Sequence, residues 1–215
     1  VPGETDAIPM KALMRYRQAL GDVRRVVIKI GSRVLVQKSG RPDVRRMREL
    51  CRQVASLRER GCEVVIVTSG AVGAGMEALK MTERPSSLPD LQMAAAVGQA
   101  RLMSRYDALF ASRNITVGQM LLTHTDFHHK IRLTNARRTM ENLIRHGVLP
   151  IVNENDVVAD EEIRADLALG DNDLLAGLVV KMMRADLLLL LTTTDGLREP
   201  GKRGRTRRVR CLESV

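Results

Sequence analysis

The sequence predicts an α/β protein, a three-layer αβα sandwich built on a mainly parallel sheet. Three observations carry that prediction. Short β-branched runs alternate with longer segments of 3.6-residue apolar periodicity. The strand-like runs are continuously apolar, as strands buried on both faces are. At 215 residues and 44% hydrophobic content, the chain can bury one large core or two small ones.

Residues 1–22 read as a polar lead-in with a short amphipathic helix. RRVVIKI (24–30) is the first expected strand. A helix over 43–60 follows, with Val44, Met47, Leu50, Cys51, Val54 and Leu57 on one face. CEVVIVT (62–68) is the second strand, and TSGAVGAG leads from it toward a helix. Residues 89–111 form a helix opened by Pro89. NITVGQMLL (114–122) is the third strand, 134–146 a helix closed by Gly147, and GVLPIV (147–152) the fourth strand. A helix after Asp173 to about residue 184 and the strand DLLLLL (186–191) complete the alternation. The domain is expected to span 23–200, with a basic, flexible segment over 201–215.

Composition narrows the function. Only 2% of residues are aromatic and Trp is absent, so the core rests on aliphatic residues and 11 Met, and base-stacking platforms are disfavoured. The net charge is +10, but GKRGRTRRVR (201–210) holds six Lys or Arg and no acid. The charge is therefore largely local, and such runs are usually solvated loops, which argues against nucleic acid as a partner. Cys51, Cys62 and Cys211 form no CxxC and cannot all pair with one another. With no signal-peptide pattern and no long apolar run, a reducing cytoplasm and no membrane association are expected.

In a parallel sheet of this kind ligands bind beyond the carboxyl ends of the strands. The residues found there are Gly31-Ser32, Ser69 to Gly75, Thr123-His124, Asn153 to Asp156, and Thr192 to Gly196. All five expected strands thus deliver small or polar residues to one edge. Lys29 interrupts the apolar VVIKIG, where it is either an edge lysine whose head reaches water or a charge aimed at phosphate beside the small Gly31. TSGAVGAG matches neither dinucleotide nor P-loop signatures; its glycines make either a tight turn or a close approach to an anion. GDNDLLAGLVV (170–180) places Asp171, Asn172 and Asp173 at a helix start, where capping accounts for one or two of them. His124 and His128 have a spacing that suits zinc, but without HExxH or a nearby cysteine no metal site is assigned. A lysine, glycine loops and acids without a nucleophile elbow suit phosphoryl transfer.

VVIKIGS, IVTSGAVGAG, AAAVGQARLM, GQMLLT, NARRTMENLI, PIVNENDVV and GDNDLLA occur in this order over about residues 24–197. Together they resemble the glutamate 5-kinases of the amino acid kinase family, with the NEND and GDND pair the most specific element. The kinase half of bifunctional pyrroline-carboxylate synthases shares several of these motifs. A catalytically silent amino-acid-binding module is the non-enzymatic alternative. The resemblance implies ATP- and Mg2+-dependent phosphorylation of L-glutamate to L-glutamyl 5-phosphate, the first step of proline synthesis. It implies that Lys29 and Gly31 face ATP, with Lys29 catalytic, and that Ser69, Asp156 and Asn172 bind glutamate. Asp171 would organise catalytic lysines, and Thr192 and Thr193 would contact nucleotide. Thr192-Thr193-Thr194-Asp195 stands where the family has Thr-Asp. The resemblance also implies a homo-oligomer, proline as a candidate feedback inhibitor, and a Gly-rich segment with a second lysine beyond Val215. The chain is thus expected to hold the glutamate-binding half and part of the nucleotide half.

Overall fold

The computed structural model describes residues 18–35, 43–158, 171–200 and 206–209. Two compact units are present: Arg24–Thr192, and 1–23 together with 193–215. The larger unit contains β1 (Arg25–Ile30), α1 (Val44–Glu59), β2 (Glu63–Val67), α2 (Ala71–Ala78), α3 (Leu88–Ala111) and β3 (Val117–Leu122). It continues through α4 (His124–His128), α5 (Lys130–Arg145), β4 (Leu149–Glu154), α6 (Asp171–Met183) and β5 (Leu187–Leu191). The sheet order is β3-β4-β2-β1-β5, and every pairing is parallel. Helices cover both faces, in agreement with the predicted αβα architecture.

The two-residue period of each strand sorts side chains between the two helical layers. Val27, Val65, Val67 and Val152 join Met140, Leu175, Val179 and Met183 in a core under α5 and α6. Their sequence neighbours Ile28, Ile66 and Ile151 are equally buried on the opposite face, where α1 packs against β2 and α3. On that second face Tyr106 and Phe110 of α3 stack with ring centroids 6.4 Å apart and no exposed surface. These two rings supply bulk that an aliphatic core otherwise lacks.

Several expectations are corrected. α5 starts at Lys130, earlier than 134, because Ile131 in its first turn is exposed and the packed apolar stripe begins at Leu133. α4 is an additional short helix, held by Asp126, whose Oδ2 accepts from Thr123 N–H at 2.7 Å and Thr123 Oγ1 at 2.8 Å. β5 reads as doubly buried, yet Leu189 and Leu190 are exposed, since β5 is the sheet's edge and pairs with β1 alone among the described residues. The expected lead-in helix lies mostly outside the described residues, which show a 3-10 turn at Leu20–Asp22.

The smaller unit includes residues 193–200. Part of the basic segment, expected to be flexible, forms β7 (Thr206–Arg208), antiparallel to β6 (Arg198–Pro200). Local acids account for this: Arg207 Nε donates to Glu199 at 2.9 Å, and Arg198 Nη1 donates to both Asp195 carboxylate oxygens at 2.8 Å.

Candidate functional site

Four polar or charged residues are buried among those described: Lys29 at 7% exposure, Thr68 at 0%, Gln99 at 9% and Asn153 at 2%. Buried polar groups need partners. Here the partners draw all four toward the carboxyl ends of β1, β2 and β4, all within the larger unit.

Lys29 follows the period of Val27 and so points to the α6 side. There its Nζ meets Asp173 Oδ1 at 2.5 Å. The edge-lysine alternative is ruled out, because β1 is an inner strand and the ammonium is enclosed. Gly31 lies beside it: its N–H donates to Leu191 O at 3.0 Å, and a Cβ there would stand 3.3 Å from that oxygen and 3.9 Å from Lys29 Nζ. The carboxylate that pairs with Lys29 is Asp173, which the sequence reading gave no role toward the lysine. Asp171 is the first residue of α6, and its side chain lies outside the described residues.

Thr68 and Asn153 take the opposite face, toward α3. Thr68 Oγ1 and the Tyr106 hydroxyl are 2.8 Å apart. Burial pushes the Tyr106 phenol well above its ordinary range, so it stays neutral and only shares hydrogen bonds. Asn153 Nδ2 donates to Gln99 Oε1 at 2.8 Å. Asn172, from the first turn of α6, reaches over the strand ends, and its Nδ2 lies 2.7 Å from Thr68 O, 2.7 Å from Ser69 Oγ and 3.2 Å from Asn153 Oδ1. A backbone carbonyl can only accept, so Thr68 O fixes which end of the Asn172 amide is the donor. Asn172 Oδ1 is then a buried acceptor with no partner among the described residues. Such an atom suits a ligand N–H.

The structure therefore brings together Lys29, Gly31, Ser69 and Asn172 of the expected residues. Asp156 lies in the turn that leaves β4 and is partly buried; Thr192 follows β5 and is exposed. Thr193 opens the second compact unit. Tyr106 and Gln99 were missed. They share a face of α3 with Ala95, Leu102 and Phe110, and a Gln on an otherwise apolar stripe is the signal that could have revealed one of them.

The glycine segment divides by role. Gly70, at φ +105°, turns the chain into α2. Gly75 instead serves helix packing, because a Cβ there would stand 1.7 Å from Ala94 O; likewise a Cβ on Gly98 would stand 1.8 Å from Ala71 O. At the end of β3, His124 and His128 Nε2 atoms are 3.0 Å apart. Among the described residues no group of three or more His, Cys, Asp or Glu could hold a metal, and no helix is long and apolar enough to cross a membrane.

A parallel αβα domain with a buried lysine and an amide cluster at its strand ends is a ligand-binding architecture of the α/β class. The chain belongs to the amino acid kinase family, whose model matches residues 24–213. It is 49% identical to a glutamate 5-kinase of Moorella thermoacetica over 181 residues, which are 84% of this chain and 47% of the relative. It is 45% identical to a glutamate 5-kinase of Clostridium acetobutylicum over 178 residues, 83% of this chain and 65% of the relative. A glutamate 5-kinase of Symbiobacterium thermophilum is 46% identical over 181 residues, 84% and 68% respectively. The chain spans about half to two thirds of the length of these relatives.

Proposed function

We propose that this chain supplies the amino-acid-binding half, and part of the nucleotide-binding half, of a glutamate 5-kinase. The reaction transfers the γ-phosphoryl group of ATP to the side-chain carboxylate of L-glutamate, giving ADP and L-glutamyl 5-phosphate, the first step of proline synthesis. The observation that carries this reading is the unpaired Asn172 Oδ1, buried at the same strand ends as the Lys29 ammonium. One offers an acceptor for an amino group; the other offers a fixed cation for a phosphoryl group.

In this reading Asn172 Oδ1 and the Asp156 carboxylate hold the substrate's α-ammonium, and Ser69 contacts the same molecule. Lys29 stabilises negative charge on the transferring group, held in place by Asp173. Gly31 lets phosphate oxygens approach the strand end, and Thr192 and Thr193 contribute to the nucleotide side. Mg2+ would come bound to the nucleotide phosphates, since such ions commonly retain water and use few protein ligands; bound there, it neutralises phosphate charge. Homo-oligomeric assembly and inhibition by proline accompany this proposal.

Calorimetry with L-glutamate, and hydroxylamine trapping of the acyl phosphate during turnover, test it. Asp156→Ala should weaken glutamate use by about 2 kcal/mol or more, because the substrate's charged group loses its partner, while ATP binding changes little. ATP consumption with another acceptor and no glutamyl hydroxamate would transfer the assignment to a different amino acid kinase.

A further inference from the structure

Gln99 takes no part in the chemistry just described, yet it is one of the four buried polar residues and comes from the interior of a helix. Its Oε1 accepts from Asn153 Nδ2 at 2.8 Å. Its own Nε2 is buried with no partner among the described residues. Turning the amide over would pair that nitrogen with nothing better, since it would bring NH2 against the NH2 of Asn153. The unpaired donor therefore follows from using Gln99 as an acceptor.

That acceptor controls Asn153. With Nδ2 engaged by Gln99, Asn153 presents Oδ1 to Asn172 Nδ2 at 3.2 Å. Asn172 is thus gripped from two sides: by Thr68 O and Ser69 Oγ at the end of β2, and by Asn153 at the end of β4. Only the second grip depends on the opposite helical layer. Gln99 is itself held by its neighbour Gly98, whose missing side chain lets α3 lie directly on the backbone of α2 at Ala71 and Gly75. The line from the α2–α3 contact through Gln99 and Asn153 ends at Asn172 Oδ1.

We propose that Gln99 is a positioning residue for the amino-acid site: through Asn153 it fixes the Asn172 amide so that Oδ1 faces the substrate's ammonium group. The ligand part rests on the function proposed above; the amide relay does not.

The test combines side-chain amide NMR with binding of L-glutamate and of ATP to the chain. Gln99→Met keeps the length and removes the acceptor. Its Asn172 side-chain NH2 signals should shift and exchange faster with solvent, although Gln99 does not touch Asn172. Affinity for L-glutamate should fall roughly tenfold while ATP affinity holds, as expected when an acceptor is lost from a buried network. Gln99→Glu retains an acceptor and deletes the unpaired NH2, so it should restore the parental Asn172 signals and most of the glutamate affinity. Unmoved Asn172 signals in Gln99→Met overturn the relay. So does a Gln99→Glu protein that loses those signals, which serves as the deciding measurement should Gln99→Met fail to fold. If the Asn172 signals respond but the parent binds no L-glutamate, the relay stands and the substrate assignment fails. Equal loss of glutamate and ATP affinity would reduce Gln99 to a general packing role and refute the proposal.

Discussion

The Asp173 carboxylate stands 2.5 Å from the Lys29 ammonium, so the cation that β1 buries is neutralised by the first turn of α6. Removing the acid leaves the charge enclosed; removing the lysine leaves a half-exposed acid that water can solvate. Asp173→Asn is therefore expected to cost roughly 1–2 kcal/mol of stability, and Lys29→Met much less. Urea unfolding of both variants and of the double variant measures this. Similar costs for the two single changes would contradict it. Under the function proposed above the order reverses: in a full-length enzyme Lys29→Met should remove about 3 kcal/mol of transition-state stabilisation, read as glutamate-dependent ATP turnover.

Gly98→Ala should destabilise the domain by about 1–3 kcal/mol, since the added methyl meets the Ala71 carbonyl at 1.8 Å and α3 must move from α2. Gly73→Ala, on the facing helix α2 but with open space around it, provides the comparison. Thermal denaturation should separate the two by several degrees. Equal melting temperatures would mean that the helix contact yields easily.

Tyr106→Phe keeps the stacked ring and deletes the hydroxyl that Thr68 Oγ1 meets at 2.8 Å. The Thr68 hydroxyl retains a longer contact to Ser69 O at 3.3 Å, so the expected loss is about 1 kcal/mol. Chemical denaturation checks the value. A loss approaching that of a cavity mutation would show that the phenol also determines packing.

Asp186 predicts a pH dependence. Its Oδ2 accepts from the backbone N–H of Arg25 at 2.8 Å and of Arg24 at 2.9 Å. These bonds, with the Arg25 one foremost, hold its carboxyl below the ordinary range. A group depressed on folding contributes stability that is present above its unfolded value, about 3.9, and lost as pH falls through the folded value. Asp186→Asn should therefore be less stable than the parent at neutral pH, with the gap closing below about pH 4. Unfolding curves between pH 3 and 7 provide the comparison, and a gap that widens in acid would reverse the sign.

Much of this molecule is legible because apolar runs and helical periods are long-range properties of the sequence. The five strands of the parallel sheet and the helices at 44–59, 88–111 and 171–183 fall within a few residues of expectation. What resisted reading depends on contacts between layers. Nothing local separates Asp173 from Asp171 as the partner of Lys29; the register of α6 against β1 decides it. Gly75 looks like a ligand-loop residue until the α2–α3 crossing shows that it faces Ala94. The apolar residues of β5 match a central strand, but the order of strands, which periodicity does not encode, places it at the edge.

The placement of β1 between β2 and β5 also sets a timetable. The Arg25 N–H to Asp186 bond closes a span of 161 residues, and such distant pairings form late because loop closure precedes any reward. At translation speeds of about 5–20 residues per second, newly made β1 waits on the order of ten seconds or more for its second neighbour. Throughout that interval the lysine-bearing strand has an uncovered flank, and for most of it the Lys29–Asp173 pair cannot exist, because α6 is made only shortly before β5. Nascent-chain proteolysis should accordingly find the β1 region vulnerable until β5 has left the ribosome.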